Sequence, residues 1–185
     1  MIRMAGCVAV ALALSLPQPA AALSLEDAAS GLAITPPDGY VAVPAAGGDA
    51  AGARAIFDIT RDGEQTTACR VSIVEAPINA LLSQAELNQR ATLPEFQRQI
   101  AASLAQSYDL IAVDVVNLGR IVGLAAIGDP ARPPGQATAG PPMRAVLIVL
   151  DTPLMRVFFT CVAERWAFAT RIAEFEQVLD GLSVP

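Results

Sequence analysis

Between residues 54 and 75 apolar and polar side chains alternate in two runs, Arg54 to Thr60 and Thr67 to Glu75, on either side of Arg61-Asp62-Gly63-Glu64. A period of two sets Cys69, Val71 and Ile73 on one face and Arg70 and Ser72 on the other, as in a strand with one buried face. Asp-Gly between the runs predicts a hairpin, since both residues tolerate the positive φ of a tight turn. Upstream, Gly31 to Thr35 and Tyr40 to Val43 read as short strands separated by the turn-forming Pro36-Pro37-Asp38-Gly39. Residues 23–31 read as a weak helical or irregular lead-in, and residues 44–53 as a surface loop.

Past residue 83 the period lengthens. Ser83-x-x-Glu86 and Thr92-x-x-Glu95 both fit a capping box, in which hydroxyl and carboxylate satisfy orphan backbone N–H groups. Pro94 falls in a first turn, where its missing donor costs little. Leu93, Phe96, Ile100 and Leu104 then form one apolar stripe, so helices are expected over 84–91 and 93–106. Alternation returns in 108–117 and 120–127, around Leu118-Gly119, and in 143–150 and 155–162, around Asp151-Thr152-Pro153-Leu154. Residues 129–142 carry five prolines and no periodicity, and read as a long loop. Thr170 is expected to cap a last helix whose Ile172, Phe175, Val178, Leu179 and Leu182 form a buried stripe. The order β-β-β, α, β-β-β-β, α predicts an α+β domain: an antiparallel sheet of about six to seven strands with helices packed on it.

In these elements the chain resembles the Mog1/PsbP-like α/β/α sandwich over most of residues 23–185. The likeness rests on the short strand before Pro37-Asp38-Gly39-Tyr40, the long central helix, the four-strand meander and a last helix with Ile172, Phe175 and Leu179. Family members often carry Pro-x-Gly-Trp at the first of these; Tyr40 and the Pro-rich 129–142 loop depart from the pattern. The resemblance implies a scaffold for mostly non-catalytic binding, assembly or accessory roles, and it carries no catalytic residues to transfer.

The N-terminus changes the compartment. Arg3 precedes an apolar run from Met4 to Leu16, Pro17-Gln18-Pro19 breaks it, and Ala20-Ala21-Ala22 supplies an A-x-A site. That grammar predicts a secretory signal over 1–22, cleaved between Ala22 and Leu23, and one domain over 23–185. The run is too short to span a bilayer, so no stable membrane insertion is expected. Met4-Ala5-Gly6-Cys7 looks like a lipoprotein box, but its cysteine precedes the apolar run instead of closing it. Cys7 is expected to leave with the signal.

Two cysteines remain, Cys69 and Cys161, and an even pair in an oxidising compartment reads as a disulfide. Two buried free thiols are the alternative, since each lies among apolar residues of a strand. All 12 basic residues are Arg, which with the abundant Ala, Gly and Pro suggests a GC-rich bacterial genome. Loss of Arg3 with the signal leaves 11 Arg against 18 acidic residues, net −7. Such a chain is a poor ligand for nucleic acid or anionic lipid.

Histidine is absent. That removes Ser-His-Asp and Cys-His catalysis, His-ligated zinc and haem, and His acid–base chemistry. No phosphate-binding glycine loop or nucleophile elbow occurs, and no cofactor is expected. Asp58-x-Thr60-x-Asp62-Gly63 imitates a calcium loop, but its twelfth position is Cys69 where a bidentate Glu belongs, and the hairpin reading prevails. The remaining carboxylates, such as Asp109, Asp114, Glu174 and Glu176, are scattered. Arg70, Arg120, Arg144 and Arg156 fall on expected strands, either on a solvated face, paired with acids, or forming an anion pocket. Phe158, Phe159, Trp166 and Phe168 are expected in core packing.

The function expected is that of an exported, periplasmic accessory or binding protein without catalytic activity, presenting a surface to a protein partner in the envelope. A carrier or sensor of a small apolar or anionic ligand is the alternative, and a carboxylate-based hydrolase ranks last. The candidate partner site is the 129–142 loop, with a tolerated surface insertion of no consequence as the alternative. Arg132 is its only cation and can pair bidentately with a carboxylate, while Pro133-Pro134 stiffens one end.

Overall fold

The computed structural model describes residues 24–45, 52–64, 68–131 and 140–185. Among these residues ten strands and three α-helices follow in chain order: β1 (Leu25–Asp27), β2 (Leu32–Ile34), β3 (Tyr40–Pro44), β4 (Arg54–Arg61), β5 (Ala68–Glu75), α1 (Gln84–Ala91), α2 (Pro94–Leu104), β6 (Tyr108–Leu118), β7 (Ile121–Pro130), β8 (Met143–Asp151), β9 (Met155–Glu164), α3 (Phe168–Asp180) and β10 (Leu182–Ser183). A 3-10 turn, Pro77–Leu81, links β5 to α1. Seven strands form one antiparallel sheet in the order β3-β4-β5-β9-β8-β7-β6, and β1-β2-β10 form a small second sheet. The large sheet is thus two meanders, β3 to β5 and β6 to β9, that meet only along β5 and β9. The seven-stranded antiparallel sheet with helices packed on it agrees with the α+β fold of about six to seven strands expected from the pattern, and the small second sheet adds to it.

Alternation divides the large sheet into two faces. Val157, Phe159 and Cys161 of β9, Cys69 and Val71 of β5 and Leu150 of β8 enter one core with Phe175, Val178 and Leu179 of α3 and Leu32 and Ile34 of β2. On the opposite face Leu124 and Val149 meet Phe96 and Ile100 of α2, and Ala145 and Leu147 pack beside Leu104. Each fully buried Phe or Leu contributes roughly 1.5–3 kcal/mol of transfer free energy. The helices are also fastened by polar contacts. Asn88 of α1 donates to the carbonyl of Arg120 (2.8 Å) and accepts from the Val122 N–H (3.0 Å). The Tyr40 hydroxyl donates to Glu174 of α3 (2.7 Å); burial, and then that carboxylate, push the phenol up to about 12.

Local signals held where one short-range contact decides them. Ser83 and Glu86 form the full capping box at α1, and the Asp62-Gly63 turn places Gly63 at φ 76°. Two expected caps are corrected. Pro94 restricts its predecessor to extended backbone, so Leu93 (φ −75°, ψ 128°) is the N-cap of α2, while Thr92 ends α1 in right-handed helical geometry. The Thr92 hydroxyl instead donates back to the Gln89 carbonyl. Likewise α3 starts at Phe168, ahead of Thr170, because Phe168 is buried edge-on against Phe175 at 6.1 Å. Residues 25–27, expected in an irregular lead-in, are strand β1, and Asp129 and Pro130 belong to β7 rather than to the loop.

α3 ends against β2 with no room to spare. Gly181 has φ −77°, which any residue can adopt, yet a Cβ there would collide with the carbonyl oxygen of Thr35. The same two residues are joined by a Thr35 N–H to Gly181 carbonyl bond of 2.9 Å. Gly181→Ala should therefore lever α3 and β10 away from β2 and lower stability by about 1–3 kcal/mol. A urea midpoint equal to that of the parent would show that the contact relaxes freely.

Candidate binding surfaces

Three of the four arginines expected on strands are closed into carboxylate pairs. Arg70 binds Asp58 through Nε and a terminal nitrogen (2.6 and 3.0 Å), Arg144 binds Asp129 (2.8 and 3.3 Å), and Arg156 binds Asp151 (2.7 and 3.0 Å). Arg120 lies in the β6–β7 turn, not on a strand. Arg54 pairs with Asp27 (3.1 Å) and, together with Ser30, holds that carboxyl down at about 2. Bidentate geometry has thus been spent internally, and these side chains do not converge as an anion pocket. Among the described residues no group of three Cys, Asp or Glu side chains could hold a metal ion.

One end of the large sheet carries the connection from β7 to β8. Its root is braced: Asp129 receives both Arg144 and Arg165, these hydrogen bonds draw its pKa below the ordinary carboxylate value against a smaller opposing effect of burial, and the Arg165 N–H donates to the Pro142 carbonyl (2.8 Å). Beside that root stands Trp166, the only tryptophan, with 80% of its surface exposed. The expectation that Trp166 packs in the core is therefore corrected. Phe159 and Phe168 are buried in the core, whereas Trp166 lies in the turn between β9 and α3, where its indole meets solvent. Arg132, Pro133 and Pro134 lie outside the described residues, as do Ala22 and Leu23 at the expected cleavage point.

The opposite end of the sheet is built differently. Asp151, 6% exposed, accepts from Arg156 and from Arg90 of α1 (2.8 Å), and both guanidinium groups lie over the Phe96 ring, at 4.9 Å for Arg90 and 5.8 Å for Arg156. Arg90 also donates to Asn79, whose amide donates to the Thr152 carbonyl (3.1 Å). This buried polar cluster joins the 3-10 turn to the β8–β9 turn. From those two adjoining turns Ile78, Leu81 and Leu154 project with 67–82% exposure.

A third feature is an apolar cleft of about 240 Å³ between α3 and the β6–β7–β8 part of the sheet. Phe159 and Phe175 line its base, Val116, Ile127 and Ile172 its sides, and Asp114 and Glu176 are its two charged residues.

No family profile matches the sequence, and no curated protein is similar to it in sequence. Solved structures are similar in fold. The solution structure of cyanobacterial PsbP (CyanoP) from Synechocystis sp. PCC 6803 superposes with a TM-score of 0.56 at 15% identity, over 90% of this chain and 95% of that one. The chain has the Mog1/PsbP-like fold. A protein from Bacteroides thetaiotaomicron VPI-5482 superposes with a TM-score of 0.53 at 12% identity, over 90% of this chain and 49% of that one, so the present chain spans about half of its length. Onto the PsbP-like frame the structure brings Cys69 and Cys161 together as a disulfide across β5 and β9, with Cα atoms 4.0 Å apart.

Sequence reading missed the Ile78, Leu81 and Leu154 surface on this PsbP-like scaffold. A signal existed. Ala76-Pro77-Ile78-Asn79-Ala80-Leu81 and Asp151-Thr152-Pro153-Leu154 put large apolar residues in turn segments, which have no core face of their own. The helix–sheet cleft could not be found that way, because it depends on where α3 crosses the sheet.

Proposed function

We propose that this chain is an exported, periplasmic accessory protein without catalytic activity that docks a protein of the envelope. The docking surface is the end of the sheet that bears the 131–142 connection. The observation that carries the reading is Trp166: a lone indole, 80% exposed, beside a root fixed by Asp129, Arg144 and Arg165. Tryptophan and arginine are the residue types that most often dominate protein interfaces. Within the 131–142 connection, Arg132 has the chemistry of a bidentate anchor for a partner carboxylate, and Pro133-Pro134 stiffens the sequence so that less entropy is lost on docking. The signal grammar of residues 1–22 supports export, the absence of histidine supports a non-catalytic role, and no helix among the described residues is long and apolar enough to cross a membrane.

Export is tested by the intact mass of periplasmic material, expected to equal residues 23–185 less two hydrogens. Docking is tested by crosslinking in intact cells and identification of the captured envelope protein. Replacing residues 131–140 by a short Gly-Ser turn should abolish that capture. Trp166→Ala should weaken it about thirtyfold, the usual effect of truncating an interface tryptophan. An Ile78→Ser/Leu81→Ser protein should capture normally. Capture that survives both loop replacement and Trp166→Ala, or that is lost only in the Ile78/Leu81 protein, moves the docking surface to the other end and overturns the assignment.

A further inference from the structure

The α3 cleft has a chemistry of its own, separate from partner docking. Its base and sides are apolar, with Phe159 and Phe175 almost fully buried beneath. Asp114 of β6 and Glu176 of α3 stand on its two sides, both exposed, and neither makes an ion pair among the described residues. The contrast with the rest of α3 is sharp. Glu174, two residues before Glu176, is bound by Arg171 and Tyr40, and Arg171 continues to Glu64. No cation lines the cleft. Two uncompensated carboxylates beside low-dielectric walls concentrate negative potential where an apolar ligand would lie.

We infer that this cleft binds a small organic cation with an apolar body, such as an alkylammonium, with its hydrocarbon on the partly exposed Val116, Ile127 and Ile172 surface and its charged head between Asp114 and Glu176. A volume of about 240 Å³ falls below the usual 300–1,000 Å³ of drug-sized sites, so it suits a short chain or single ring. The sign of the charge separates this occupant from fatty acids and other apolar anions, which the two carboxylates repel. A neutral alcohol gains the hydrocarbon contact alone.

Octylammonium, octanol and octanoate, each below its aggregation limit, test the assignment by titration of the 15N-labelled protein. Octylammonium should shift the backbone amides of residues 112–116 and 172–179, octanol should do so more weakly, and octanoate should not. Asp114→Asn/Glu176→Gln should weaken octylammonium binding about tenfold while leaving octanol unchanged, and added salt should narrow the gap between the two. Both positions are exposed, so the folded spectrum should persist. Absence of octylammonium binding, equal or tighter binding of octanoate, shifts outside the cleft, or an affinity indifferent to the double substitution each overturns the inference. None of these outcomes bears on Trp166 or on envelope docking.

Discussion

Asp151→Ala should cost this protein about 3 kcal/mol of unfolding free energy. The carboxylate sits almost fully buried at the end of β8 and accepts two bonds from Arg156 and one from Arg90. Removing it leaves two like charges facing each other over the Phe96 ring with no counter-ion. Breaking a buried pair from one side typically costs 3–5 kcal/mol, and the lower end applies because each guanidinium keeps about a quarter of its exposure. The loss should be pH-dependent. Burial raises the Asp151 pKa, but hydrogen bonds and charge from Arg156, with Asn79 and Arg90, outweigh it and leave the group below its ordinary 3.8. A depressed carboxylate stabilises the fold above its unfolded pKa, and that contribution disappears as pH falls through the folded value. Urea unfolding of parent and Asp151→Ala should thus differ fully at pH 7 and converge as the pH drops below about 4. A gap of equal size in acid would show that the effect comes from packing rather than charge.

The residues of that cluster also mark the boundary of what sequence could say. Sequence pattern located β8, β9 and α1 to within a residue or two, because each has its own periodicity or cap. The meeting of Asp151, Arg156, Arg90 and Asn79 spans 73 positions of chain between Asn79 and Thr152 alone, and no local rule encodes it. For the same reason β1 and β10 went unread. They are three and two residues long, and each exists only because β2 lies beside it. Thr92 and Thr170 fit a capping pattern that Pro94 and the burial of Phe168 overrode from outside the motif. Trp166 shows the opposite failure: residue type pointed to the core, while its place in a turn pointed to solvent, and position won. The candidate surfaces were therefore only partly legible. The long Pro-rich connection could be seen in composition, the exposed indole beside its root could not, and the α3 cleft had no sequence signature at all.

Replacing Cys69 and Cys161 together by Ala should lower the melting temperature by about 10 °C without changing the fold. Alternation put both thiols on the core face, and pairing β5 with β9 sets them directly opposite. Their bond ties the first meander to the second at the one seam where those halves meet, 92 positions apart in sequence. Closing a loop of that size restricts the unfolded chain by about 4–5 kcal/mol on the chain-entropy estimate, and residual structure in that chain reduces the gain. At roughly 2–4 °C per kcal/mol for a domain of this length, the expected shift follows. Both sulfurs are buried within the core, so thiol titration of the folded 23–185 protein should find none. Denaturation without reductant should still find none, and denaturation with reductant should release two. Two titratable thiols in denaturant alone would falsify the bond. If the bond forms but the double Ala protein melts within a degree or two of the parent, then the β5–β9 seam persists in the unfolded ensemble, and the backbone pairing with its Val71–Phe159 and Ile73–Val157 neighbours holds the halves together unaided.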